Sequence, residues 1–241
     1  MRRYLIIILI LLAGFTACSK NRTPESSETK LKKADELFAK KKYARAATIY
    51  DEISFERKSA ATAYATLQQA ERYFATNKFA DARSKYEQFI ASFPDHQRVN
   101  HAYFQVGVCL YEESLPPQYD QDETIRSIEA FRLFIEKFPT DTKYTSALDY
   151  IRKCQYKMLE KTYMNGYIHF KMKDYSAALM YFDEIIILGN NDKLDRKSLY
   201  YSAKLHLHQK NRDKAEASFE LLKSRYPSSK ETKKISRHFN K

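Results

Sequence analysis

The chain has 241 residues, a formal net charge of +12, and only 4 Gly and 6 Pro. So few turn formers beside 30% charged residues exclude a turn-rich β protein and favour helices. The positive balance would suit nucleic acid, anionic lipid or acidic protein as a partner.

The first residues narrow that choice. Residues 1–17 read MRRYLIIILILLAGFTA, with Arg2 and Arg3 ahead of an unbroken apolar run from Leu5 to Leu12. A membrane span needs about 20 apolar residues, so this short run reads as a signal peptide. Cys18 follows Phe15-Thr16-Ala17, a setting that resembles the bacterial lipobox, in which the cysteine is acylated and becomes the mature N-terminus. An ordinary signal peptide cut near Ala17, leaving Cys18 free, is the alternative. No cofactor is expected beyond this covalent lipid. Ser19 stands where an Asp would retain a lipoprotein inside, and by resemblance to lipoprotein sorting rules this points to the outer membrane. Residues 18–29 are polar and read as a flexible tether.

The body repeats itself. YEQFIASFP (86–94), FRLFIEKFP (131–139) and FELLKSRYP (219–227) share one frame: an aromatic, an apolar residue three later, an aromatic seven later and Pro eight later. YDEISFERK (50–58) and FDEIIILGN (182–190) are degenerate copies. The anchors are therefore Tyr50, Tyr86, Phe131, Phe182 and Phe219. Four residues before them stand Ala46, Ala82, Ser127, Ala178 and Ala215; sixteen before four of them stand Ala34, Ala70, Gly166 and Ala203. These spacings put small residues and anchors on one helix face, where the ring fills the gap that the small residue leaves. The proline ends the second helix. The pattern resembles the tetratricopeptide repeat. It predicts an all-α fold, an α-solenoid of about five helix pairs, with repeats 1–3 in residues 30–140 and repeats 4–5 in 141–228. On this frame His169 and His206 occupy packing positions, and Cys109 and Cys154 read as buried free thiols.

The third repeat breaks the frame. Its small residue, Gly107, lies eight residues too early, and the surplus falls within SLPPQYDQDET, residues 114–124. Pro116 and Pro117 stop one helix, and Asp120 or Asp122 can cap the next. The fourth repeat is stretched instead by a long helix within 143–173, about four turns longer than its counterparts and joining the two groups of repeats.

Together these features resemble the BamD family, tetratricopeptide-repeat lipoproteins of the outer-membrane β-barrel assembly machinery. Ser114, Pro116, Tyr119, Asp122 and Thr124 match the family's loop, and AFRLFIEKFPTDTKYTSA (130–147) and KMLEKTYMNGYIHFKMKDYSAALMYFDEII (157–186) match its third and fourth repeats. Glu123 departs from the usual Gln. The resemblance implies a scaffold rather than an enzyme, held at the periplasmic face of the outer membrane. Its C-terminal repeats would bind a POTRA domain of a BamA-like barrel subunit. Its N-terminal repeats would receive unfolded outer-membrane proteins in a groove to which Tyr64, Lys78, Tyr103, Gln105 and Tyr111 contribute. Other assembly lipoproteins, and outer-membrane lipid through the anchor, complete the partners; nucleic acid is not among them outside the cytoplasm.

Two other readings share parts of this pattern. A periplasmic adaptor in cell division or peptidoglycan synthesis would have the repeats but need neither the loop nor the long helix. An accessory part of an envelope enzyme would need about 100 residues for a catalytic domain, and the repeats leave no room. No histidine or cysteine spacing suggests a metal, and the acids near Asp120 lack the glycine and glutamate of a calcium loop. Residues 229–241 read as a basic tail, solvated or set against an acidic partner surface.

Overall fold

A computed structural model of the chain describes residues 26–54, 60–190 and 192–239. The signal peptide and Cys18 lie outside them. The described residues form eleven helices and no strand: α1 (Ser27–Ala39), α2 (Tyr43–Ser54), α3 (Ala60–Ala75), α4 (Phe79–Ser92), α5 (Val99–Glu113), α6 (Asp122–Lys137), α7 (Tyr144–Lys171), α8 (Tyr175–Leu188), α9 (Lys193–His208), α10 (Arg212–Arg225) and α11 (Lys230–Ser236). One sequence boundary shifts. The Ser26 hydroxyl accepts the Thr29 amide and starts α1, so residues 27–29 belong to a helix rather than to the tether. The chain divides into two compact units between Gln69 and Ala70, inside α3.

In the first unit, Ala34, Ala46, Tyr50, Ile53 and Ala65 form the core. The Tyr50 hydroxyl donates to Asp35 at 2.6 Å. In the second unit each helix from α4 onward packs on the next, a solenoid of helix pairs. The anchors Tyr50, Tyr86, Phe131 and Phe182 are 0% exposed and Phe219 is 4% exposed, and all five small residues four positions before them are buried. A Cβ on Gly107 would lie 2.8 Å from the Phe131 ring, and one on Gly166 would lie 2.9 Å from the Phe182 ring. That contact is why these positions are small: each buried ring contributes about 1.5–3 kcal/mol, and any larger neighbour would push it out. Ser127 replaces the usual Ala and donates its hydroxyl to the Gly107 carbonyl at 2.9 Å.

Four repeats turn from first to second helix in the same way. Lys41, Asn77, Lys173 and Lys210, each nine residues before an anchor, adopt φ of 57° to 65°. The amides that follow them, of Lys42, Lys78, Asp174 and Asn211, donate to the carbonyls of Leu37, Tyr73, His169 and His206 at 2.9–3.0 Å. This six-to-one bond is the Schellman cap, which satisfies the last free carbonyls of a helix. His169 stacks on Tyr181 with ring centroids 5.5 Å apart, and His206 is 9% exposed; both are packing residues.

Cys109 and Cys154 are free and buried. Burial, aided by the Glu113 charge, pushes the Cys109 thiol up to about 12. The basic C-terminus is not a solvated tail. Residues 230–236 fold back as α11, burying Thr232 and Ile235. Thr232 donates its hydroxyl to the Tyr226 carbonyl at 2.7 Å, and Phe239 stacks on Phe219 at 4.5 Å. Beneath them a fully buried Asp195 accepts hydrogen bonds from Arg225 at 2.8 Å and Tyr226 at 2.6 Å.

Candidate functional site

The third repeat turns without a left-handed residue. α5 stops at Glu113, whose carboxylate takes two bonds from Arg83, and Ser114 leaves the helix in an extended conformation. A turn closes where the Tyr119 amide donates to the Pro116 carbonyl at 3.0 Å. The loop is organised from its centre by Gln121, which is 3% exposed. Its side-chain Nε2 lies 2.9 Å from the carbonyls of Pro116 and Asp120 and 3.3 Å from those of Leu115 and Tyr119. One amide group has two hydrogens, so these acceptors share them. Its Oε1 accepts from the buried Thr124 hydroxyl at 2.8 Å. Asp120 accepts the Asp122 amide at 2.8 Å, while Asp122 itself sits exposed in the first turn of α6. Pro116, Pro117, Tyr119, Asp122 and Thr124 are legible as loop residues in the sequence and Gln121 is not, because glutamine is not among the residues that ordinarily cap helices.

The loop rests on α7. Lys157 Nζ donates to Ser114 Oγ at 2.6 Å, and Lys161 Nζ donates to the Tyr119 carbonyl at 2.9 Å. Both lysines come from the stretch 155–165, within which α7 buries no residue fully; Cys154 before it and Gly166 after it are buried. The two departures from the repeat thus meet: the inserted loop packs on the added turns of the long helix.

The same helix carries an aromatic face lined with lysines. Tyr156, Glu160, Tyr163, Tyr167 and Phe170 follow one another at spacings of four and three, which places them on one side of a helix. Three clefts of about 480, 510 and 490 Å³ run along this face. The first involves Tyr111, Tyr156 and Lys153. The second lies between Tyr163, Tyr167, Lys197 and Lys230. The third reaches Phe170 and Lys204, and shares Tyr200 and Lys234 with the second. Ammonium groups stand over the rings: Lys157 over Tyr111 at 5.2 Å, Lys197 over Tyr163 at 5.3 Å, Lys204 over Phe170 at 5.3 Å and Lys234 over Tyr200 at 5.7 Å. Each such contact contributes about 0.5–1 kcal/mol and fixes where the charge sits. Burial, together with the neighbouring Lys193 charge, lowers the pKa of Lys197.

Of the five residues expected to line a groove, Tyr111 lies on this face. Tyr103 packs instead on Phe138, with ring centroids 5.5 Å apart, beneath Lys137. Gln105 follows two positions later on α5, so about 200° of helical rotation turns it to the opposite side from Tyr103. Lys78 is the exposed N-cap of α4, and Tyr64 belongs to the first unit.

The family model YfiO, described as outer membrane lipoprotein, matches residues 19–188. The chain belongs to that family. The YfiO match takes in the loop and all of α7, and a tetratricopeptide repeat model matches residues 197–229, across α9 and α10. Outer membrane protein assembly factor BamD of Rickettsia prowazekii (strain Madrid E) is 28% identical over 198 residues, covering 80% of this chain and 78% of the relative. Among solved structures, the chain is similar to the TPR2AB domain of yeast Sti1 (12% identity, TM-score 0.47, 86% of this chain and 80% of that one). It is also similar to a tetratricopeptide repeat protein from Parabacteroides merdae (12% identity, TM-score 0.46, 90% of this chain and 85% of that one). Nothing about ligands follows from likenesses this distant. Among the described residues, no helix is long and apolar enough to cross a membrane.

Proposed function

We infer that this YfiO family member is a non-catalytic scaffold of outer-membrane β-barrel assembly, anchored at the periplasmic face by lipid on Cys18. The observation that carries the reading is its relation to the assembly factor BamD over 80% of the chain. Both departures from the plain repeat, the loop 114–121 and the long α7, fall inside the family match. In this reading the C-terminal repeats dock a POTRA domain of the barrel-forming subunit, and the N-terminal repeats meet unfolded barrel proteins.

The test is affinity purification of the tagged chain from envelopes solubilised in mild detergent. A POTRA-containing barrel protein is the expected companion, and its absence removes the reading's support. The anchor is tested separately. Cys18→Ala should move the chain from the membrane pellet to the soluble periplasmic fraction; continued pelleting would refute lipidation as the attachment.

A further inference from the structure

The clefts along α7 bring together seven Lys and Arg side chains and two carboxylates. One of those carboxylates, Glu231, is already taken by Arg196 at 3.1 Å. Among the described residues, none of Lys197, Lys204, Lys230 and Lys234 has a carboxylate partner within 4.0 Å. The face therefore holds uncompensated positive charge, and Lys197, Lys204 and Lys234 each stand over a ring.

The rings give the shape of what would lie there. Tyr163 and Tyr167 have centroids 6.4 Å apart, and Tyr167 and Phe170 have centroids 6.1 Å apart. Alternate side chains of an extended peptide are spaced by about 6.6 Å on one face. From Tyr156 to Phe170 the face runs for about 21 Å at 1.5 Å per residue, room for about six residues of extended chain. Tyr156 and Tyr167 are 36% and 37% exposed and offer flat apolar surface. A single phosphate headgroup would use one point of this track and leave the other rings bare.

We propose that this face of α7, walled by α9 and α11, binds an extended segment of a partner protein in which acidic side chains alternate with apolar or aromatic ones. The carboxylates meet the lysines and the apolar side chains lie on the rings. This extends beyond the assembly reading, since the chemistry of the face is independent of which machinery the chain serves.

The test uses the full chain in detergent and a fluorescent eight-residue peptide alternating Glu and Phe. Binding in about the micromolar range is expected, weakening as added salt screens the charges. The double variant Lys197→Gln/Lys234→Gln should bind about tenfold less tightly, since pairing of charges across an interface is lost. Tyr167→Ala should weaken binding without changing the salt dependence, and thermal melting of each variant shows that it is folded. A peptide alternating Lys and Phe should not bind. Equal binding of the acidic and basic peptides would overturn the proposal. So would an unchanged affinity in the folded lysine double variant. Binding of the chain to phosphatidylglycerol vesicles that depends on Lys197 and Lys234, with no peptide binding, would assign the face to lipid headgroups and refute the proposal.

Discussion

In the fourth repeat α7 gives way to α8 through one left-handed residue, Lys173; in the third, α5 gives way to α6 through residues 114–121. The short turn is closed by main-chain bonds, the Lys173 amide to Phe170 and the Asp174 amide to His169. It asks for no particular side chain, which is why Lys, Asn, Lys and Lys occupy its left-handed position in four repeats. The long turn is closed by the Gln121 side chain from within and by Lys157 and Lys161 from α7. It depends on specific side chains and on a neighbouring helix. A tight turn is portable between repeats; this loop works only beside a helix long enough to receive it.

The comparison has a part that should not differ. If the loop alters only the turn and leaves the packing untouched, Gly107→Val and Gly166→Val should cost the same, about 3 kcal/mol each by urea unfolding, because both methyl pairs would enter the space of an anchor ring. A much smaller cost at Gly107 would show that the loop loosens its repeat. Next in size is Gln121→Leu, expected to lose about 2 kcal/mol by stranding the carbonyls it now satisfies, with faster protease cleavage between residues 114 and 121. Lys173→Gly should go the other way and stabilise by about 0.5–1 kcal/mol, because glycine accepts positive φ without strain. A loss there would mean that the lysine side chain matters to the turn after all. The smallest change is Lys157→Met with Lys161→Met, about 0.5 kcal/mol in stability, seen more clearly as increased amide hydrogen exchange in the loop than in the unfolding midpoint.

The packing rule was legible in the sequence because it is written at fixed spacing: Ala82, Tyr86 and Pro94, or Ala215, Phe219 and Pro227, state it without reference to the rest of the chain. The eight-residue insertion and the long helix followed from counting along that frame. What escaped depends on contacts between distant residues. Gln121 is one polar residue among several until the carbonyls around it are seen. In α11, Thr232 and Ile235 point inward from among lysines, and a helix of seven residues is too short for its pattern to stand out from a basic tail. The aromatic face of α7 escaped as well, because rings at helical spacing ordinarily mean packing. The lysines that stand over the rings of its second half, Lys197 over Tyr163 and Lys204 over Phe170, come from α9. The expected groove residues rest on the resemblance, and the rotation of α5 by about 200° over two residues separates Tyr103 from Gln105.

The middle of α7 has one more consequence, which concerns length. Its first half packs Tyr150 against Phe104 and Phe131, and its second half packs Tyr163 against Phe182 and Tyr167 against Tyr201. The unbroken helix between them fixes the rotational phase of one neighbourhood against the other. One residue added between Cys154 and Gly166 would turn every later contact by about 100° and move it by about 1.5 Å, whereas one added between residues 115 and 119 would bulge into solvent. Apart from Tyr156, Lys157, Lys161 and Tyr163, residues 155–165 can therefore change identity but not number: the least buried part of this helix is its gauge block.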